Sequence, residues 1–439
     1  MKSSLPLSLD TILLLVLVPA HMELNGVSFL LVIPLFFYVV LDLIHSLQQY
    51  EVLPKQFRNG RLFFLLRLFL MYLIIAAAVI VPTLANIGSR LTTPVDASGF
   101  SPAYADIHDG AIQMEAALDY WMAGKNPYVE RYDETPLQYY GFSGLDMPTN
   151  PAYEHFVYLP GFLLVSLPFH QFFQQIGFPF DQRWVYLIAY FALMLLLPSF
   201  TKQPVLKLTL LAGIVLNPLI TGPVIIGMND ILVLLFVVLA LSFLQRGKTA
   251  VSIIMFGFAC TLKQSAWFIA PFYLLLLFQQ FPPQGRLKRF AQTAVLLGGT
   301  MLVIILPFFL WDPTHFITDV IVYPSGGVDV NYPIRGYTIG NILVGSGFIG
   351  SPLDPFPFWI LQLVVGVPLL LLLGRYQWRQ ATMGAMLLSS GIFIFSIGLV
   401  SRFFQDNYVG FVVALVLFGT FLKLQANENS DAIIARDAH

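Results

Sequence analysis

The sequence predicts an all-α fold, a polytopic transmembrane helical bundle of about 10–12 spans with a large first outer loop carrying interfacial helices. Three observations lead there. Of 439 residues, 57% are hydrophobic and 11% charged, whereas soluble domains carry about 25% charged residues. The apolar residues gather into runs near 5–20, 26–47, 62–86, 156–176, 184–200, 207–226, 229–245, 250–280, 290–311, 356–373, 380–400 and 407–424, most of them long enough to cross a hydrocarbon core. The basic residues gather between the runs.

Residues 1–86 read as N-terminal transmembrane helices. The run Ile12 to Val18 has the length of a signal-peptide core, but no small-residue cleavage site follows it, so it is kept as structure. Lys55-Arg58-Arg61, Arg246-Lys248, Arg286-Lys288-Arg289 and Arg375-Arg379 belong in the cytoplasm by the positive-inside rule, which turns the 87–155 and 312–355 loops outward. Residues 87–182 form the outer catalytic loop. A helix is expected near 105–123, between Pro102 and the stop signal of Gly124 and Pro127. Its wheel puts Ile107, Ala111, Met114, Leu118, Trp121 and Met122 on one arc and Asp106, Asp109, Gln113 and Tyr120 on the other, so it should lie on the membrane. The 156–176 run holds Pro160, Pro168, His170 and three glutamines and is expected at the outer interface rather than across the bilayer. Residues 183–424 are the transmembrane core. Within it 250–280 is basic at both flanks, and two short helices folding back near Lys263-Gln264-Ser265 reconcile the two ends. The tail 425–439 is polar and expected to be a disordered cytoplasmic segment.

Charge and cysteine content exclude some partners. The formal net charge is -1, and no basic cluster accompanies the aromatics, so nucleic acid is not a partner. The single cysteine, Cys260, rules out an intramolecular disulfide.

The candidate chemistry lies in the outer loops and at charges inside apolar runs. Asp106 and Asp109 stand three residues apart with Gln113 a turn further on, a spacing that suits a general base with orienting partners on one helix face, or equally a solvated loop. With His108 they are also of a type to bind Mg²⁺ or Mn²⁺. Lys263 falls in an apolar run, where it either faces a cavity or snorkels from a hairpin tip. Asn229 or Asp230 opens the next helix as an N-cap. Arg335 among the tyrosines of 312–355 suits a phosphate or sugar, while an interfacial aromatic belt fits the same residues. Arg402 is expected to pair with Asp406.

The order of an outer-loop acid, Gly124-Lys125-Asn126-Pro127-Tyr128, Tyr158-Leu159-Pro160, Asn217-Pro218, Gly227-Met228-Asn229-Asp230, Leu262-Lys263-Gln264-Ser265 and Trp311-Asp312-Pro313 resembles the GT-C superfamily of membrane glycosyltransferases. The nearest branch is the bacterial polyprenyl-phosphate-mannose-dependent one. In that family the catalytic acid is followed by an aromatic residue at +4, alanines at +7 and +8 and a glycine about four turns later. Counting from Asp109 gives Gln113, Ala116, Ala117 and Gly124. Asp106 fits less well, and Gly110 stands where many relatives have a second acid. The resemblance implies transfer of a hexose, mannose in the nearest branch, from a polyprenyl-phosphate donor to a lipid, glycan or protein acceptor at the outer face of the plasma membrane. Asp109 or Asp106 would act as the base, and Gln113, Tyr128, His155, Asp230, Lys263, Gln264, Arg335 and Arg402 would bind substrate, with Arg335 the stronger phosphate ligand. No cofactor is required, and membrane lipids are the remaining partner. A transporter or lipid flippase is the rival reading, because broken helices and an intramembrane lysine are also marks of that class. A scaffold subunit without chemistry is a third.

Overall fold

The computed structural model describes residues 7–25, 28–49, 60–94, 104, 106–140, 150–329 and 331–437. Lys2, Lys55 and Arg58, on which the cytoplasmic assignment of the N-terminal loops rests, and Pro102 lie outside these. The chain is helical almost throughout: α1 (Leu9–Asn25), α2 (Ser28–Gln49), α3 (Gly60–Thr92), α4 (Asp109–Met122), α5 (Gly161–Gln175), α6 (Arg183–Phe200), α7 (Pro204–Val215), α8 (Pro218–Ile226), α9 (Asp230–Gln245), α10 (Thr249–Cys260), α11 (Ala270–Gln280), α12 (Arg286–Trp311), α13 (Phe358–Gln380), α14 (Met383–Leu399) and α15 (Asp406–Asp437). Among the described residues six helices are long and apolar enough to cross a membrane, namely α3, α6, α12, α13 and the segments Phe29–Leu47 and Asp406–Gln425; α7 and α8 make a seventh if counted as one span bent by 54° at Leu216-Asn217. Four shorter apolar helices accompany them. The protein is a multi-pass membrane protein of the all-α class. Helical backbone continues past Gln425 to Asp437, through the polar stretch where the sequence predicts disorder.

Two features of the bundle position the site. The 250–280 run is broken, and its arms turn back on each other. Trp267 Nε1 donates to Cys260 O (2.7 Å), Tyr273 stacks on Phe256 at 4.2 Å, and its hydroxyl meets Ser252 Oγ at 2.6 Å. The tip of this hairpin carries Lys263 toward the end of the bundle where α9 begins. At the other end Gln279 Nε2 donates to Trp378 O (2.7 Å), Phe278 packs on Phe290 and Lys423 Nζ reaches the Tyr376 hydroxyl (3.0 Å). The basic start of α12, the basic end of α13 and Lys423 of α15 therefore gather at one end of the molecule.

The second feature is a two-residue parallel ladder, β1 (Arg335–Gly336) on β2 (Phe403–Phe404), which ties the 312–355 loop to the connection between α14 and α15. At the N-terminus Arg67 of α3 is buried against Asp10 of α1 and Asp42 of α2, the latter at 2.8 Å. An ion pair in apolar surroundings is costly to break, so it locks the first three helices together.

The helix on which the outer loop turns differs from expectation. It is not an amphipathic helix lying on a surface. Gly110 to Leu118 are buried on both arcs apart from the half-buried Glu115, because both arcs pack against protein: on the polar one Gln113 meets the 152–155 backbone, and on the opposite side Glu115 meets Arg90.

Candidate functional site

A cavity of about 450 Å³ opens at the end of the bundle opposite the basic loops. Its lining is chemically mixed. Polar and charged residues, His108, Asp109, His155, Tyr158, Lys263, Gln264, Tyr323, Tyr332, Arg402 and Tyr408, share it with the apolar Trp267, Phe268, Phe358, Trp359, Ile394 and Ile397.

Asp109 is the first residue of α4. The extended backbone of His108 ends the preceding turn, its N–H donates to Ile226 O, and its ring accepts from Gly110 N at 3.1 Å. The helix therefore starts at Asp109 and not near 105. That corrects the shared-face reading of the two acids: Asp106 lies in the turn before the helix, exposed and outside the cavity lining, with only its carbonyl engaged, by Arg183 Nη1 (3.0 Å). Asp109 Oδ1 accepts from Gly110 N at 2.7 Å and lies 3.0 Å from His108 Nδ1. Among the described residues no three His, Cys, Asp or Glu side chains converge to hold an ion.

Gly110 explains why a second acid is missing beside Asp109. A Cβ built there would lie 1.8 Å from the Tyr158 hydroxyl oxygen. The phenol occupies the space that a side chain would need.

The Gly227-Met228-Asn229-Asp230 and Leu262-Lys263-Gln264-Ser265 stretches meet on one wall. Lys263 Nζ bonds Asp230 Oδ1 (2.8 Å) and Asn229 Oδ1 (3.2 Å) and lies 4.3 Å from the Tyr408 ring centre. The capping reading of Asn229 is thereby corrected, since its side chain makes no cap bond and serves the lysine. The snorkelling alternative for Lys263 fails too, as it is buried. Asp230 also receives Asn407 Nδ2 (2.6 Å) and does not itself line the large cavity.

Arg402 is the other buried cation of the cavity lining. It forms no pair with Asp406, which turns to Asn407 N (2.9 Å). Its guanidinium donates instead to the carbonyls of Tyr332, Asp354 (2.9 Å) and Pro352 (3.1 Å). Burial lowers its pKa to about 10, so it keeps its charge at neutral pH. The Asp354 carboxylate faces away, to Ser351 N (2.9 Å).

The other candidates separate into those at the cavity and those behind it. His155 lines it, stacks on Tyr323 at 4.2 Å and holds Asp319 at 2.7 Å through Nδ1. Burial pushes the Asp319 carboxyl above its ordinary range, against the pull of His155. Gln264 lines it and donates to Val320 O (3.1 Å). Gln113 reaches it, but both its amide bonds go to the backbone, Ala152 O (2.6 Å) and His155 O (2.8 Å), so it shapes the loop. Tyr128 lies behind the wall, buried, its hydroxyl on Tyr158 O (2.7 Å). Arg335 is exposed outside the lining, although its charge and that of Asp109 both act on Tyr140 and Tyr332.

Sequence reasoning missed Asp319 and the cavity role of Tyr158. The signal for the first was an isolated acid in the apolar run Phe316 to Val322. For the second there was none beyond the Tyr-Leu-Pro motif, because only the fold brings that ring over Gly110.

Neither a curated protein nor a solved structure matches this chain. The model of glycosyltransferase family 87 does, over residues 156–402. That span holds Tyr158, Asp230, Lys263, Gln264, Asp319, Arg335 and Arg402, and Asp109 falls before it. A match over more than half the length, onto the helices that build the cavity, places the protein: the chain belongs to glycosyltransferase family 87 and is a multi-pass membrane glycosyltransferase.

Proposed function

We propose that the protein transfers a hexose from a polyprenyl-phosphate carrier to an acceptor hydroxyl at the outer face of the plasma membrane, with Asp109 as general base. The supporting observation is the mixed lining of the cavity. A lipid-linked sugar joins an apolar chain to a polar head, and Trp267, Phe268, Phe358, Trp359, Ile394 and Ile397 suit the prenyl chain while the polar and charged lining residues suit sugar and phosphate. Of the polar groups there, Asp109 has an oxygen, Oδ2, whose one partner among the described residues is a long contact of 3.5 Å from Asn150.

In this reading Asp109 takes the proton of the acceptor hydroxyl as its oxygen attacks the anomeric carbon. The bond from that carbon to the phosphate oxygen breaks, and the polyprenyl phosphate leaves with the electron pair as a monoester carrying one more negative charge. The configuration at the anomeric carbon inverts. The charge that develops on the phosphate calls for a cation. Lys263 is already neutralised by Asp230, so Arg402, bonded among the described residues to carbonyls alone, is the group for that task, with Arg335 at the rim.

The test gives purified protein in lipid nanodiscs either a nucleotide sugar or a polyprenyl-phosphate sugar and follows transfer to a membrane-extract acceptor. The proposal expects turnover with the second only. Asp109→Asn should lower kcat by about 10²–10⁴-fold with folding intact. Turnover with the nucleotide sugar alone, or a near-normal rate in Asp109→Asn with Asp106→Asn inactive, would overturn the donor or the base respectively.

A further inference from the structure

A second cluster of buried charge sits on the side of α4 away from the cavity, and neither the family match nor the reaction accounts for all of it. Arg90, near the end of α3, grips Glu115 of α4 with two bonds, Nη1 to Oε1 (2.8 Å) and Nη2 to Oε2 (2.6 Å), and meets Asp181 Oδ2 at 2.9 Å. Arg183, at the start of α6, is completely buried and bonds the same Asp181 through Nε (2.9 Å) and Nη2 (2.8 Å). The four charges balance, two cations against two carboxylates. Glu115 also accepts from Gln182 N (2.8 Å).

The remaining bonds of Arg183 show what the cluster is attached to. Nη1 donates to Asp106 O (3.0 Å), three residues before Asp109, and Nη2 to Asn86 O (3.2 Å) on α3. Its aliphatic stem fills the space beside Gly227, where φ is +89° and a Cβ would come within 2.9 Å of Arg183 Cγ and 3.2 Å of Ala111 Cβ. Gly227 opens the stretch whose Asn229 and Asp230 hold Lys263. One arginine thus touches the approach to Asp109, the α3 backbone at Asn86 and Gly227 of the cavity lining.

We propose that Arg90, Glu115, Asp181 and Arg183 are positioning residues for the transfer: they fix the start of α4 against the Gly227 turn and so set where the Asp109 carboxylate points. Glu115 lies six residues from Asp109 along a single rigid helix, so a change in its anchor displaces the carboxylate. None of the four lines the cavity, so their replacement leaves the binding surface in place. The proposal rests on Asp109 being the base, and the experiment separates the two.

The informative variants keep charge and change reach. Glu115→Asp shortens one anchor by a methylene, and Arg183→Lys removes the fork that spans Asp106 and Asn86 while keeping the cation. Each should lower kcat by about 10- to 100-fold, the scale for a reacting group misplaced by an ångström, with the donor KM unchanged within about twofold. Thermal unfolding in detergent reports whether the fold is kept. The deciding arm repeats both substitutions in Asp109→Asn, where residues that act through Asp109 should cost nothing further, whereas a general loss of structure would multiply with the first loss. Multiplied losses, an unchanged kcat, or failure of both variants to fold would reduce the cluster to a stability element and overturn the proposal. A wild-type rate in Asp109→Asn would remove the base reading, and the positioning proposal with it, whereas an inactive Asp109→Asn beside fully active Glu115→Asp and Arg183→Lys would remove the positioning proposal alone.

Discussion

Two cations line the same cavity, and their partners set them apart. Lys263 is 8% exposed and Arg402 2%, so each has lost nearly all its water. Lys263 has a carboxylate at 2.8 Å, an amide oxygen and an aromatic face. Among the described residues Arg402 has carbonyl oxygens alone. A buried cation beside a carboxylate is electrically complete, and removing it strands the partner. A cation solvated by dipoles keeps a net charge that an anion can use. The lysine wall is thus a strut and the arginine wall a receptor, although in the sequence both are simply basic residues near apolar helices.

The largest effect expected from this contrast is on stability. Lys263→Met leaves Asp230 charged and buried, and should cost about 3–5 kcal/mol. Adding Asp230→Asn, which keeps the shape and the neighbourhood of Asn407, should recover most of that loss. Thermal unfolding of the single and double variants in detergent checks both halves. An unchanged melting temperature in Lys263→Met would mean that the lysine is no strut, and the contrast would collapse.

Next in size is the effect of Arg402 on the donor. Arg402→Ala should raise the donor KM by about 10- to 100-fold, the worth of a charge-assisted contact to phosphate. Arg402→Lys should restore part of it, since a point charge replaces a planar fork. Steady-state kinetics with the lipid-linked sugar reads this. The same measurement on Lys263→Met/Asp230→Asn should give a KM near that of the parent. If the neutralised lysine wall raises KM as much as Arg402→Ala, the two roles are not separate.

How far the sequence was legible follows the range of the interactions. Composition and runs are local sums, so the all-α membrane class and the fold-back at Lys263 were readable. Asp109 and Gln113 were picked out by spacing along one helix. What spacing could not supply was the start of that helix, which depends on the His108 N–H bonding Ile226 O, more than a hundred residues away. The pairings of Lys263 with Asp230 and of Arg402 with carbonyls are likewise contacts between distant segments, and a wheel drawn on one helix contains none of them. Arg402 was expected to pair with the nearest acid in the chain, Asp406, and bonded across to the 332–354 segment instead. Gly110, read as a departure from a pattern, became intelligible only when Tyr158 was found above it.

The smallest effect belongs to Arg335, the residue whose type and loop make it the stronger candidate by sequence. Its backbone N–H is held by Arg402 O at 3.2 Å in the short parallel ladder, and replacing the side chain leaves that bond intact. The side chain is exposed, and charge at the surface acts through water and is screened by salt over about 8–10 Å at moderate ionic strength. Its charge and that of Asp109 act in opposite senses on Tyr140 and Tyr332, and Tyr332 lines the cavity. A charge in that position attracts an anion toward the mouth without ordering it. Arg335→Ala should therefore raise the donor KM by only about two- to threefold at low salt, leave kcat alone, and show no difference from the parent near 0.5 M salt, where exposed charges are screened. A salt-independent loss as large as that of Arg402→Ala would mean that the 312–355 loop folds over the bound donor and takes Arg335 out of water, which would move it from the rim to the receptor wall.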